Sequence, residues 1–90
     1  MKECEIFGYG KFKDKDTQEE MLRIVIGIDS RNDNYVGTMI TTAFLPYDKD
    51  LEDDLDYAIK NNKKASYETT DNIITGKTKV SKITVNRNMF

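Results

Sequence analysis

The chain has 90 residues, 33% of them charged and 38% apolar, with a formal net charge of −2. One small domain with a single modest core follows, and at this size only about 60–65% of the unfolded surface is buried. One cysteine, Cys4, and no histidine exclude an internal disulfide framework, a Cys/His zinc site, a Ser-His-Asp triad and a Cys-His dyad within one chain. The longest near-continuous apolar run, Ile24 to Ile28, is far shorter than the ~20 residues that span a bilayer. No apolar signal segment follows Met1, and with the unpaired thiol this makes a reducing cytoplasm the expected compartment.

The first segment, 3–13, alternates with the two-residue period of a strand. Cys4, Ile6, Gly8, Gly10 and Phe12 fall on one face, and Glu3, Glu5, Phe7, Tyr9, Lys11 and Lys13 on the other. Glycine inside a strand marks coiling, a bulge or the close approach of another backbone, so Gly8 and Gly10 predict one of these. Asp14 to Gln18 is polar and reads as a loop. A second strand over 20–29 has Leu22, Ile24, Ile26 and Ile28 on one face, rich in β-branched residues. Ser30 to Asn34 is a turn by composition. A third strand over 35–45 is ended by Pro46.

Beyond Pro46 the period changes. Leu51, Leu55, Ala58 and Ile59 form an apolar stripe at helical spacing. Asp48 or Asp50 caps the start, the acidic first turns complement the helix dipole, and Asn61-Asn62 breaks the helix. Segments 65–75 and 77–86 then read as two strands joined near Gly76. In the last, Val80 is out of phase with Ile83 and Val85, which predicts a bulge near Ser81-Lys82. Residues 87–90 are read as a loose tail on a single domain spanning 1–90.

The order β-β-β-α-β-β, mainly β with one helix, is that of a small OB-like barrel. The alternatives are an α+β antiparallel sheet with one helix packed on one face, and an SH3-like barrel with the helix misread. Charge is unevenly placed along this order. Residues 47–59 sum to −5 and residues 60–90 to +5. A local field of one sign attracts a polyanion even when the net charge is slightly negative.

Little in the chain suggests catalysis. Asp48 to Glu52 begins like a calcium loop, but Asp53 replaces the sharp-turn glycine and Ile59 the bidentate glutamate. Gly8-Tyr9-Gly10 lacks the rest of a dinucleotide fingerprint. Cys4 lies between Glu3 and Glu5, which would raise its thiol pKa. No enzyme, metal or cofactor is expected.

What remains is aromatic residues interleaved with cations on strands, the parts that single-stranded nucleic acid binding requires. Tyr9, Lys11 and Lys13 share a face with Phe7; Tyr35 opens the third strand; Tyr67 lies beside the basic carboxyl-terminal third with Lys77 and Lys79. On the barrel the second and third strands form the binding surface, adding Arg23, Arg31, Met39 and Thr41. Phe7, Phe12 and Phe44 would otherwise serve the core.

In its size, its five-strand order, its central strand from Leu22 to Asp29 and its closing Gly76-Lys77-Thr78-Lys79-Val80 segment before Ile83, the chain resembles the small single-stranded-DNA-binding proteins of phages and mobile elements, including those of filamentous phages. The resemblance implies non-specific, cooperative binding of single strands, often by a homodimer. A second reading is a phage- or mobile-element-encoded accessory or inhibitor, even a DNA mimic. Its acidic helix 48–59, through Asp50, Asp53, Asp54 and Asp56, would occupy a basic protein surface. Either function depends on architecture. For the first, the sheet must roll so that Tyr9, Tyr35 and the cations converge along one groove.

Overall fold

The computed structural model describes residues 2–32, 35–71, 74 and 76–85, with the backbone alone for 30–32 and 35. Five strands and one helix follow in chain order: β1 (Lys2–Lys13), β2 (Glu20–Asn32), β3 (Tyr35–Pro46), α1 (Lys49–Asn61), β4 (Lys64–Asp71) and β5 (Thr78–Val85). All ladders are antiparallel, in one sheet of order β3-β2-β1-β4-β5. Among the described residues no helix is long and apolar enough to cross a membrane.

β1 turns the sheet. Its first residues, Lys2 to Glu5, pair with β4, and from Glu5 onward it pairs with β2. In a flat five-stranded sheet the edge strands would lie about 19 Å apart, four spacings of ~4.8 Å. Yet residues of β3 and β5, the two edges, come within 8 Å of each other, so the sheet curls strongly. No ladder joins them among the described residues. The expected barrel is therefore present as curvature without hydrogen-bonded closure, and an antiparallel sheet with one helix on one face describes the fold.

The inner face carries the core. Cys4 and Ile6 of β1, Leu22, Ile24 and Ile26 of β2, Ala43 and Leu45 of β3, Ala65 and Tyr67 of β4, and Val80, Ile83 and Val85 of β5 meet Leu55 and Ala58 of α1. Of the expected helical stripe, Leu51 is half-buried and Ile59 is exposed at the rim. The helix ends as its sequence dictates. The Asp48 carboxylate accepts hydrogen bonds from the Asp50 and Leu51 amides at 2.8 and 3.4 Å, and Asn62 takes the left-handed conformation. Together such caps contribute about 1–2 kcal/mol.

Some boundaries move. β2 and β3 stay paired out to Asn32 and Tyr35, so residues 30–32 of the predicted 30–34 turn belong to the ladder, while 33 and 34 lie outside the described residues. Among the described residues no third strand pairs with this hairpin beyond Gly27 and Ile40, and it projects as an arm. The radius of gyration, 13.9 Å, exceeds the roughly 12 Å of a compact chain this long accordingly. β4 runs over Lys64–Asp71, and of its predicted continuation to position 75, residues 72, 73 and 75 lie outside the described residues; β5 begins at Thr78 after a left-handed Gly76. The tail 87–90 lies outside the described residues.

Two bulges set which side chains face the core. In β5 Lys82 pairs with Glu68 and Val80 with Thr69, which leaves Ser81 as the extra residue where the hydrophobic phase predicted it. Its hydroxyl donates to the Glu68 carbonyl at 3.3 Å. In β1 Ile6 pairs with Ile26 and Gly8 with Val25, leaving Phe7 extra. Phe7 lies over Gly27, where a Cβ would stand 2.6 Å from Phe7 Cζ and 3.1 Å from Thr38 Cγ2. Of the features that Gly8 and Gly10 predict, the bulge is present, directly before Gly8, and the close approach occurs at Gly27. Gly27→Val should lower stability by about 1–2 kcal/mol through overpacking. In a Phe7→Ala background that loss should largely vanish, a coupling that a double-mutant cycle of denaturant unfolding measures.

Candidate functional site

The bulge at Phe7 inverts the expected faces of β1. Because side chains alternate, one extra residue sends every later side chain to the opposite side. Gly10 stands opposite Arg23 and Phe12 opposite Met21, all on the outer face, while Tyr9 stands opposite the buried Ile24. This corrects the face assigned to Tyr9, Lys11 and Lys13. Tyr9 packs against the core and its hydroxyl donates to Asp56 Oδ1 at 3.5 Å. Its pKa is raised, first by burial and then by the Asp56 charge. The Lys11 ammonium sits 4.9 Å from the centre of the Tyr47 ring, a cation–π contact. Lys13 is exposed at the end of β1, opposite Glu20.

The outer face carries rings that the alternation had assigned to the core. Phe12 is 39% and Phe44 56% exposed, and they meet edge to face with centroids 6.0 Å apart. Phe44 stands opposite Arg23 across the β2–β3 ladder. Together Gly10, Lys11, Phe12, Arg23 and Phe44 line a depression of about 390 Å³, within the ~300–1,000 Å³ range of ligand sites. Two cations and, among the described residues, no carboxylate line it. Among the described residues Arg23 has no ion-pair partner. At the other end of this face, Glu3, Glu5 and Asp29 gather around Gly27 with Lys64.

The remaining predicted residues are not brought to this place. Tyr67 is 6% exposed, with its pKa raised by burial, so its ring is not offered to a base. Lys79 is exposed on β5, and Lys77 precedes that strand, with β4 between β5 and β1. Met39 and Thr41 stand opposite Ile28 and Ile26, on the other side of β3 from Phe44. The backbones of Arg31 and Tyr35 pair near the tip of the hairpin arm, and their side chains lie outside the described residues.

The acidic helix is largely engaged with itself. Asp53 pairs with Lys49 at 3.0 Å and Asp56 with Lys60 at 2.8 Å, both at helical i,i+4 spacing. Both lysine pKa values are raised, first by those hydrogen bonds. Tyr47 donates to Glu52 Oε1 at 2.9 Å. Asp50 and Asp54 line an open groove that they share with Lys82.

Sequence reasoning missed Phe12, Phe44 and Gly10 as site residues. One signal was available: glycines on the supposed core face, at 8 and 10, would leave holes in the core. Moving them outward requires a phase change between Ile6 and Gly8. No family model, curated protein or solved structure matches the chain.

Cys4 is buried, and burial pushes its thiol up to about 11. At pH 8 only about one thiol in a thousand is then ionised. Iodoacetamide at that pH should leave the native protein unmodified and label it rapidly in urea, as mass spectrometry would show.

Proposed function

We propose that this protein is a non-enzymatic binder of single-stranded nucleic acid, using the outer face of β1, β2 and β3. The exposed Phe12–Phe44 pair beside Arg23, in a depression without a carboxylate, carries the proposal. Rings supply stacking surface that tolerates any base, and Arg23 supplies charge for the phosphates. In this function the chain works as the small single-stranded-DNA-binding proteins of phages and mobile elements do, within a reducing cytoplasm. Its footprint is short, because the carboxylates around Gly27 close one end of the face. The helix carboxylates support a protein-capturing role less well, since Asp53 and Asp56 already have cationic neighbours.

Fluorescence anisotropy with a labelled oligothymidine at ~20 mM salt tests this. Phe12→Ala and Phe44→Ala should each weaken binding by about 1–3 kcal/mol. With Arg23 as the cation of the outer face on a phosphate, the log–log salt slope should be about −0.7, and Arg23→Ala should bring it close to zero. Absence of binding by the unaltered protein overturns the proposal.

A homodimer fits the same surface. β3 is an edge strand of 12 residues without a single charged side chain, and Val36, Met39 and Ile40 on it are exposed. Edges are ordinarily guarded by charge or proline. A two-fold pairing of β3 with its copy, in the arm where no other strand lies beside it, brings no like charges together and sets the two outer faces side by side. Light scattering should give twice the chain mass, and Ile40→Lys should return the monomer.

A further inference from the structure

We infer that Gly10 is the floor of a base-stacking site, kept bare so that one face of an unpaired base rests on the β1 backbone between Phe12 and Arg23. This rests on the function proposed above and assigns it a place. Glycine inside a strand weakens that strand, so its presence calls for a cause. Two conditions exclude a side chain from a glycine position, and neither holds at Gly10. Its backbone is not left-handed; among the described glycines only Gly37 and Gly76 have positive φ. Nor does a neighbour crowd it, since a Cβ there would meet nothing within 4 Å. The folded chain by itself tolerates a side chain at this position.

The space above Gly10 is the depression itself, walled by Phe12, Phe44 and Arg23. Any side chain at position 10 would project into it, because Gly10 shares the outer face with Arg23. The same sheet already shows what a bare backbone accepts. At Gly27 the Phe7 ring lies where a Cβ would stand. There the protein supplies its own ring, and at Gly10 the corresponding position is open. A ligand that fills it must be flat, with a π face for the peptide plane and the phenyl edges, and must carry negative charge for Arg23. An unpaired base with its phosphate meets both conditions. A base within a duplex has both faces occupied by its neighbours.

Gly10→Ala, Gly10→Val and Gly8→Ala distinguish a ligand role from a fold role. Gly8 faces outward on the same strand, also with nothing near its Cβ position, but does not line the depression. Both alanine variants should melt about 2–6 °C higher than the unaltered protein, because glycine's unfolded-state freedom is removed. Gly10→Val should bind oligothymidine about fivefold to a hundredfold more weakly, with Gly10→Ala between it and the unaltered protein. Gly8→Ala should bind as the unaltered protein does. Unchanged binding by Gly10→Val, while Phe12→Ala loses affinity, overturns the floor and leaves the proposed function standing. Lowered melting of Gly10→Ala also overturns the floor, since the glycine would then serve the fold. Equal losses for Gly8→Ala and Gly10→Ala overturn it as well. If the unaltered protein does not bind, the function fails and the floor with it.

Discussion

One extra residue in β1 decides which chemistry this protein presents. Up to Ile6 the strand sends its even-numbered side chains into the core, and Ile6 faces Ile26. At Phe7 the ladder slips, and from Gly8 onward the even positions face outward. The slip is held by the Phe7 ring seated on Gly27, an aromatic on bare backbone where a side chain would collide. Everything later on β1 inherits this inversion. Tyr9 goes to the helix and hydrogen-bonds Asp56, while Phe12 goes outward and meets Phe44. Without the bulge Tyr9 would be the exposed ring and Phe12 a core residue.

The bulge in β5 has the same geometry and the opposite legibility. Val80, Ile83 and Val85 cannot share one face at regular alternation, and all three are buried, so the extra residue at Ser81 could be placed from hydrophobicity alone. In β1 the alternation stayed plausible across the slip, because both faces carry aromatic residues. Either phase offered rings outside and rings inside. Hydrophobic pattern locates a bulge only where burial and polarity disagree on the two sides of it.

Charge along the chain was equally incomplete as a guide. The acidic stretch over 48–56 is spent locally, capping α1 and pairing with Lys49 and Lys60 one helical turn away. The basic carboxyl-terminal third places Lys79 on the edge strand β5, on the side of β1 away from β2 and β3 in the strand order. Meanwhile two cations from the segment with no basic excess, Lys11 and Arg23, line the aromatic depression. Sequence sums average over faces, but a ligand meets one face at a time.

The amino-acid sequence by itself determined the element order, the apolar face of β2, the caps of α1 and the kink in β5. Each of these follows from local periodicity or from a cap formed within one turn of chain. Only the tertiary structure decided the curl without closure, the seat of Phe7 on Gly27 and the outward turn of Phe12. These depend on pairing between strands, where a shift of one residue costs little in local conformation and exchanges inside for outside.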